Sequence, residues 1–310
     1  MAIETVLVTG GAGFIGSALC RALAARGRHV VAFDNLSFGR RELLPGDSGC
    51  QLVEGDVRDA ARLRELFRDL APGTVCHLAA LHFIPYCDAH PLETMDVNVN
   101  GTRAVLEACR NARPRLVLFA STAAVYPIAA GPLPEDRPPG PVDVYGYTKL
   151  MGEDLARLFA LETGVPTLIA RLFNAVGPHD NNLHVVPEIL AQVARGGPLR
   201  LGNLDPVRDY IHVDDMVAAF LALLERPPRG CDVFNVGSGE GRSVRDVVNA
   251  FEAVVGPLTL TQDSQRVRRV DRAELVADVN KLCRETGWRP HVSFAEGIRR
   301  LLAGLPSAHS

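Results

Sequence analysis

Two short stretches of the chain place phenol, amine and hydroxyl groups at spacings that suit proton transfer. In YGYTK, Tyr145 precedes Lys149 by four residues, so both side chains fall on one face of a helix that begins there. In STAAVYP, Ser121 and Thr122 follow the apolar run 116–120. A phenol with a pKa of about 10 is a weak base at neutral pH, but a nearby ammonium stabilises the phenolate. We therefore predict that Tyr145 is a general acid and base, assisted by Lys149 and by a hydroxyl at the strand end.

A glycine-rich turn connects the first predicted strand to the first predicted helix. The string VTGGAGFIGS contains Gly10, Gly13 and Gly16, and Asp34 ends the second strand 18 residues later. Glycine permits a tight turn and close approach of a diphosphate, and the helix N-terminus supplies N–H groups. An acidic residue at the Asp34 position accepts hydrogen bonds from the adenosine ribose and repels a 2′-phosphate. The pattern predicts a dinucleotide site that favours NAD over NADP, with Asp56 as a further contact to adenine.

Alternating strands and helices must position these groups. Strands are predicted at 5–9, 30–33, 74–78, 116–120 and 167–171, and helices at 17–26, 60–69, 92–110, 149–163, 186–195 and 294–303. With right-handed crossovers, this order forms a Rossmann-type α/β fold with a doubly wound parallel sheet. We expect an NAD-binding domain over 1–175 with a return segment at about 211–238. A smaller α/β domain over 176–310 is expected to bind substrate.

Composition restricts the possible partners. The chain has 310 residues and a net charge of −3, which gives no electrostatic basis for binding nucleic acid. No apolar run reaches the roughly 18–20 residues of a membrane span, and the N-terminus lacks the layout of a signal peptide. Seven scattered cysteines without a CxxC pair are typical of a reducing compartment and do not suggest a metal site. We expect a cytoplasmic protein without a metal ion.

These motifs resemble the extended short-chain dehydrogenase/reductase family, specifically its NAD-dependent nucleotide-sugar epimerase/dehydratase group. The resemblance spans nearly the whole chain and rests on VTGGAGFIGS, FDNLS, EGDVRD, HLAA, NVNGT, STAAVY, YGYTK, RLFNAVGP, VRDYIHVDD, FNVGSG and GWRP. It implies that Tyr145 is the acid/base and that Lys149 holds the nicotinamide ribose. It also implies that Thr122, rather than Ser121, contacts the sugar.

The resemblance implies the other site residues as well. The cofactor is expected to contact Gly10, Gly13, Phe14, Ile15, Gly16, Asp34, Asn35, Asp56, Val57, Leu78, Ala79, Ala80, Asn98, Tyr145 and Lys149. The substrate, a nucleotide-diphosphate sugar, is expected to contact His82, Thr122, Asn174, His179, Asn182, Arg208, Tyr210 and Arg268. Arg266 and Arg269 are alternatives to Arg268. His179 is either a catalytic acid or an ordinary loop histidine, and His82 is either a ligand contact or a packed loop residue.

Ala123 and Ala124 narrow the expected reaction. Dehydratases of the resembled group carry Asp-Glu directly after the active threonine, because elimination of water needs a general acid. The cysteine that GDP-sugar 3,5-epimerases place near position 124 is also missing. Of the reactions in this group, removal and return of a hydride remains possible. We therefore expect an NAD-dependent 4-epimerase that acts on a UDP-hexose through a 4-keto intermediate.

Other functions stay open at this point. The family also contains nucleotide-ketosugar reductases, decarboxylases and GDP-sugar epimerases. GNLDPVRD and GPHDN resemble strings of GDP-sugar enzymes, so the base is not fixed. A redox sensor without catalysis is disfavoured because the Tyr/Lys pair is intact. The resemblance further implies a homodimer that pairs through the helices predicted at 92–110 and 149–163.

Overall fold

The computed structural model describes residues 4–46, 49–180, 184–226, 229–263 and 272–304. Asn182 and Arg268, and the alternatives Arg266 and Arg269, lie outside the described residues. The strands are β1 Thr5–Thr9, β2 His29–Asp34, β3 Cys50–Glu54, β4 Thr74–His77, β5 Leu116–Thr122, β6 Thr167–Leu172, β7 Asn174–Val176, β8 Leu199–Leu201, β9 Val207–His212, β10 Cys231–Val236, β11 Gly241–Ser243, β12 Leu260–Gln262 and β13 Glu274–Leu275. The α-helices are α1 Phe14–Ala25, α2 Ala60–Leu70, α3 Ile84–Ala89, α4 Pro91–Met95, α5 Thr102–Ala112, α6 Val144–Thr163, α7 Val185–Arg195, α8 Val213–Glu225, α9 Val244–Val255, α10 Asn280–Thr286 and α11 Phe294–Ala303.

A seven-stranded parallel sheet forms the centre of the larger part of the molecule. Its strand order is β10-β6-β5-β4-β1-β2-β3. The chain runs outward from β1 to β3, then returns to β4 on the other side of β1. Such a reversal of strand order creates a crevice at the carboxyl ends of the central strands. The predicted doubly wound fold is confirmed.

Helices cover both faces of this sheet. α1, α8 and α10 pack on one face through Leu19, Phe220 and Leu282, and α2, α5 and α6 pack on the other through Phe67, Val105 and Phe159. The strands are apolar on both sides because both faces are buried. The helices on the two faces of the sheet together hold the carboxyl ends of β1, β4 and β5 in fixed positions.

Shorter strands form two smaller sheets beyond the main one. In the first, β11, β13 and β7 all pair with β9, and in the second β12 pairs with β8. The register of β7 on β9 places Asn174 opposite Tyr210. A separate apolar cluster that includes Ile189, Phe251 and Ile298 supports these strands.

The long helix predicted over 92–110 is interrupted. α4 ends at Met95, and Asp96–Gly101 forms a π-helical turn before α5 begins. A π turn accommodates one extra residue, and such turns often occur at functional sites. Asn98 lies in this turn with a fully buried side chain. The hydrophobic spacing indicated the helical path but carried no signal for the wider turn.

Candidate active site

A cavity of about 1180 Å³ lies at the carboxyl edge of the large sheet, where the strand order reverses. Its walls come from the turn after β1, the ends of β2, β4 and β5, the start of α6, and the strands β7 and β9. Nineteen of the residues predicted to bind cofactor or substrate line it: Gly10, Gly13, Phe14, Ile15, Gly16, Asp34, Asn35, Asp56, Val57, Leu78, Ala79, Ala80, His82, Thr122, Tyr145, Lys149, Asn174, Arg208 and Tyr210.

The turn that contains Gly10, Gly13 and Gly16 has no room for side chains at Gly10 and Gly16. Gly10 has a φ of +70°, and a Cβ there would lie 2.7 Å from the backbone nitrogen of Ala79. A Cβ on Gly16 would lie 2.0 Å from the Gly10 carbonyl oxygen, so the helix approaches the turn closely. Gly13 is the N-cap of α1 and lines the cavity, so a side chain there would project in front of the helix N-terminus. The turn thus presents bare backbone and the positive end of α1 to the cavity.

Asp34 is fixed at the end of β2 by backbone contacts. Its carboxylate accepts hydrogen bonds from Ala12 N at 3.0 Å and from Leu36 N at 2.8 Å. Burial raises the pKa of Asp34, and these hydrogen bonds oppose that rise. The carboxylate lines the cavity and retains lone pairs for ribose hydroxyl groups.

Asn35 and Asp56 contact each other across the cavity wall. Asn35 Nδ2 donates to Asp56 Oδ2 at 2.9 Å, and the guanidinium of Arg58 binds the same carboxylate at 2.7 and 2.9 Å. The Arg58 hydrogen bonds lower the pKa of Asp56 well below its usual range. The side chain predicted to contact adenine is therefore anionic and held in place.

Asn98 does not line the cavity, in contrast to the other residues predicted around the cofactor. Its side chain is fully buried, accepts from Leu81 N and donates to Leu81 O, both at 2.8 Å. It also donates to Thr148 Oγ1 at 3.0 Å, and Thr148 in turn donates to Tyr145 O. Asn98 positions the segment after β4 and the start of α6 from behind the cavity wall.

The first turn of α6 and the end of β5 bring the proton-transfer groups together. Asp143 is the N-cap of this helix, and its side chain accepts a hydrogen bond from Gly146 N at 2.7 Å. Tyr145 lies in the first turn, and its hydroxyl hydrogen-bonds with Thr122 at the end of β5. Lys149 lies one turn further along, with its Nζ 4.3 Å from the ring centroid of Phe119. Phenol, hydroxyl and amine therefore converge in one part of the cavity.

Burial has the largest effect on the pKa values of Tyr145 and Lys149. Burial raises the pKa of Tyr145, which the Thr122 hydrogen bond only partly opposes. Burial lowers the pKa of Lys149 to about 7, while the negative charge of Glu153 opposes that shift. The pKa of Tyr145 is therefore raised in the protein alone and not lowered as expected, because burial disfavours the phenolate.

The two hydroxyl groups of STAAVYP point to different partners. Ser121 Oγ donates to Glu153 Oε1 at 2.6 Å, inside the protein. Arg171 binds both oxygens of the same carboxylate at 2.8 Å, and Arg157 adds a contact at 2.7 Å. Thr122 Oγ1 accepts from Ala124 N at 3.1 Å and lies beside Tyr145. The Ser121 hydroxyl is therefore structural.

Ala123 and Ala124 form a short turn after Thr122 and are only 2% and 5% exposed. The carbonyl of Ala124 accepts a hydrogen bond from Arg272 Nη2 at 2.9 Å. Arg272 also forms an ion pair with Asp143 at 3.2 Å. Methyl groups occupy the positions that follow the active threonine, and neither can donate a proton to a leaving hydroxyl.

Strands β7 and β9 supply the polar groups at the other end of the cavity. Arg208 and Tyr210 are two residues apart on β9, and Asn174 is the register partner of Tyr210. Arg208 Nη1 donates to the backbone oxygens of Val207 at 2.8 Å and Arg272 at 2.7 Å. These contacts hold the guanidinium at the cavity wall.

The two histidines lie in different places. His82 lines the cavity, with its ring centroid 6.0 Å from that of His184, which also lines it. His179 is exposed, has a φ of +73° and is not among the lining residues. Burial and the positive charges of Arg21 and Arg40 lower the pKa of His179. The structure therefore does not bring His179 to Tyr145 as the alternative of a catalytic acid would need.

Comparisons with known proteins agree with this geometry. The sequence profile of the NAD dependent epimerase/dehydratase family matches residues 6–237. The chain belongs to this family. UDP-glucose 4-epimerase from Azospirillum brasilense is 36% identical over an alignment that covers 95% of this chain and 90% of that protein. The family that the motifs resemble is thereby confirmed.

Solved structures of family members superpose closely. UDP-glucose 4-epimerase from Thermotoga maritima, crystallised with UDP-glucose, matches with a TM-score of 0.90 at 29% identity. UDP-glucose 4-epimerase from Thermus thermophilus, in complex with NAD, matches with a TM-score of 0.89 at 33% identity. Each match covers 97% of this chain and 98% of the other chain.

Several cavity residues of this family member were not predicted. Asp143 could have been found from the preference for aspartate at helix N-caps, because it directly precedes the helix of Tyr145. Arg272 and His184 carry no local signal, since each reaches the cavity from a distant part of the chain, whereas Phe38 follows the predicted Asp34 and Asn35 by only a few residues. Among the described residues, no cluster of acidic, histidine or cysteine side chains is arranged to hold a metal ion. Within the same ranges, no helix is both long and apolar enough to span a membrane.

Proposed function

We propose that the protein is an NAD-dependent isomerase that inverts C4 of a nucleotide-linked hexose, with a UDP-hexose as its substrate. One observation carries this proposal: Tyr145, Lys149 and Thr122 share a cavity with the glycine turn, and two buried alanines follow Thr122. This arrangement provides an acid/base for hydride transfer at a carbinol, and neither of the two side chains after Thr122 can act as the acid of a dehydration. Relatives that are UDP-glucose 4-epimerases, solved with UDP-glucose and with NAD, support the choice of base and cofactor.

The lining of the cavity fits an NAD molecule. The bare backbone of the Gly10–Gly16 turn would hold its diphosphate, Asp34 would hold the adenosine ribose, and Lys149 would hold the nicotinamide ribose. When bound, NAD accepts a hydride from a carbinol carbon and returns it to the resulting ketone.

Tyr145 moves the proton in both halves of the proposed reaction. As phenolate it takes the proton of the C4 hydroxyl, and as phenol it returns that proton to the 4-keto oxygen. Burial raises the pKa of Tyr145 in the protein alone, so positive charge within the filled site must stabilise the phenolate. Thr122 orients the hydroxyl groups of Tyr145 and of the sugar through hydrogen bonds.

Inversion requires the hexose to present its other face while the remainder of the substrate stays bound. Arg208 would hold the diphosphate through charge-assisted hydrogen bonds, and Tyr210 and Asn174 lie beside it. A fixed diphosphate keeps the reacting carbon near Tyr145 while the sugar turns.

This arrangement suggests which parts of the chain bind NAD and which bind the nucleotide sugar. The proposed NAD-binding unit consists of 1–175 with the return segment at about 211–238, and 176–310 mainly binds the nucleotide sugar. Two contacts support the return segment: β10 pairs with β6 in the large sheet, and α8 packs on α1. All seven cysteines are free thiols, which supports a location in the cytoplasm.

The direct test is to incubate the purified protein with UDP-, GDP- and dTDP-sugars and follow the anomeric protons by NMR. We expect UDP-glucose and UDP-galactose to interconvert without added NAD, because the reaction is redox-neutral and the cofactor stays bound. Strict dependence on added NAD(P)H would contradict the proposal and indicate a reductase. Release of carbon dioxide from a UDP-hexuronic acid would indicate a decarboxylase.

Replacing Asp34 with asparagine is expected to weaken the preference for NAD over NADP. Asparagine keeps the size of the side chain but removes the charge that repels a 2′-phosphate. We expect the ratio of the two Kd values to fall on the order of ten-fold, measured by calorimetry on cofactor-free protein. Asp205→Asn, at an exposed position outside the cavity lining, is the control. An unchanged ratio would contradict the role of Asp34.

We also propose that the protein is a homodimer that pairs through α4, α5 and α6. Supporting this, five large apolar side chains are exposed on α4 and α6: Leu92, Met95, Met151, Leu158 and Leu161. Leu158→Glu is expected to shift the mass measured by light scattering from dimer to monomer, because it places a charge within a buried apolar surface. Val254→Glu on α9 is the matched control, and an equal effect of both changes would contradict this interface.

A further inference from the structure

An aromatic pair lines the same cavity as the glycine turn. Phe38 lies in the loop after β2, and Tyr86 lies on α3, which follows β4. Their ring centroids are 6.3 Å apart with an interplanar angle of 79°, an edge-to-face contact. Both side chains line the cavity, and Phe38 is nevertheless 60% exposed. An exposed phenylalanine in this position needs an explanation beyond packing of the core.

The strand order places this contact over β1. β1 lies between β4 and β2 in the sheet, and its carboxyl end leads into the turn that contains Gly10 and Gly13. Phe38 and Tyr86 thus follow the two strands that flank β1, and they share the cavity lining with Gly10 and Gly13. A diphosphate that lies at the turn would be beneath the two rings.

The loop that carries Phe38 is tied to the turn that it covers. Leu36 N donates to Asp34 Oδ1 at 2.8 Å at the start of the loop. Arg40 N donates to the carbonyl of Ala12, within the glycine turn, at 2.9 Å at its end. Between these contacts, Ser37 N donates to Asn35 Oδ1 at 3.0 Å. Both ends of the loop are thus held at the site itself.

Tyr86 is held from the opposite side. Its hydroxyl donates to Glu93 Oε2 at 2.7 Å, and its ring centroid is 4.3 Å from that of His90. These contacts orient the ring before any ligand binds, so little side-chain entropy is lost in keeping the pair closed.

We propose that Phe38 and Tyr86 form a roof over the bound dinucleotide that slows its dissociation from the cavity. This inference rests on the proposed function, and it identifies two residues that act on cofactor dissociation and not on the chemical step. A dinucleotide can leave the turn only after the rings separate, so their contact adds to the barrier for release. Retention matters for this reaction, because loss of the reduced cofactor would strand the 4-keto sugar.

The test is the dissociation rate of the cofactor from intact holoenzyme. Protein loaded with NADH is mixed with excess NAD, and the decay of NADH fluorescence is followed for wild type, Phe38→Ala, Tyr86→Ala and the double variant. Each single change is expected to raise the rate of NADH release about two- to ten-fold. This factor corresponds to the interaction energy of one edge-to-face aromatic contact. The double variant is expected to release no faster than the faster single variant, because either change breaks the same contact. Phe38→Tyr keeps the ring and is expected to match wild type.

Val254→Ala on α9 is the control, since this exposed apolar residue is not part of the cavity lining. If the single variants release NADH at the rate of the control, the proposed role of Phe38 and Tyr86 is wrong, while the proposed function is unaffected. Multiplicative effects in the double variant would also overturn this role, because the residues would then act separately. A protein that binds neither NAD nor NADH would overturn the proposed function and the roof together.

Discussion

Tyr145→Phe should abolish nearly all epimerase activity while leaving NAD bound. The change removes one hydroxyl group, the proposed acid/base, and leaves the ring in place. Loss of general acid–base catalysis typically lowers kcat by about 10²- to 10⁴-fold. The measurement is the initial rate of UDP-galactose conversion, with bound NAD quantified in the same sample.

Tyr126→Phe is the matched control for this prediction. Tyr126 is fully buried, its hydroxyl donates to Asn235 Oδ1 at 2.7 Å, and it is not among the residues that line the cavity. Its loss should lower the free energy of unfolding by about 1 kcal/mol and leave kcat nearly unchanged. If Tyr145→Phe retained substantial activity, the assignment of Tyr145 as acid/base would be wrong.

Glu153→Ala should destabilise the protein more than any exposed carboxylate change on the same helix. Its carboxylate is fully buried and binds Arg171, Arg157 and Ser121. Removing it leaves the guanidinium of Arg171 buried without its main partner, which typically costs about 3–5 kcal/mol. The measurement is the free energy of unfolding from urea titration at neutral pH.

Glu162→Ala is the control on the same helix. Glu162 forms an ion pair with Arg110 at 2.5 Å, but both side chains are about two-fifths exposed. Exposed pairs of this kind contribute roughly 0–1 kcal/mol. Equal destabilisation by the two alanine variants would contradict the role assigned to the buried network.

The Glu153 network also predicts the direction of a pH effect. Burial by itself raises the pKa of Glu153, but the Arg171 and Ser121 hydrogen bonds and the charge of Arg157 outweigh it, so its folded pKa is lowered from 4.5. A carboxyl group with a lowered folded pKa stabilises the protein above its unfolded pKa, and this stabilisation is lost as pH falls through the folded value. Unfolding in acid should therefore be steeper for wild type than for Glu153→Ala.

Local patterns were enough to predict most of the fold. The apolar runs before Gly10 and Ser121 are buried strands, and the alternation of strands with helices allows few topologies once crossovers are right-handed. Gly10 and Gly16 were predictable because the turn needs a positive φ at the first and a close approach of the helix at the second. Tyr145 and Lys149 share a face of α6 through their spacing alone.

Other features depended on contacts between distant segments. Asn98, in the π turn, binds the backbone of Leu81, which is 17 residues away. The ion pair of Arg272 with Asp143 joins residues 129 positions apart. Periodicity and motif spacing describe neighbours along one element, so they contain no information on such pairs.

The sequence by itself determined that a dinucleotide turn, a Tyr/Lys pair and an acid-free STAAVYP segment belong to one parallel sheet. The family resemblance favoured Thr122 over Ser121, but the sequence contained no sign of what each hydroxyl group binds or that Phe38 and Tyr86 meet. The tertiary structure sets these contacts. Ser121 donates to Glu153 whereas Thr122 contacts Tyr145, and the strand order β4-β1-β2 places the segments that carry Phe38 and Tyr86 on either side of β1, where the two rings touch. Alternating residues of a strand point to opposite faces, and only the packing of the whole chain fixes what lies on each face.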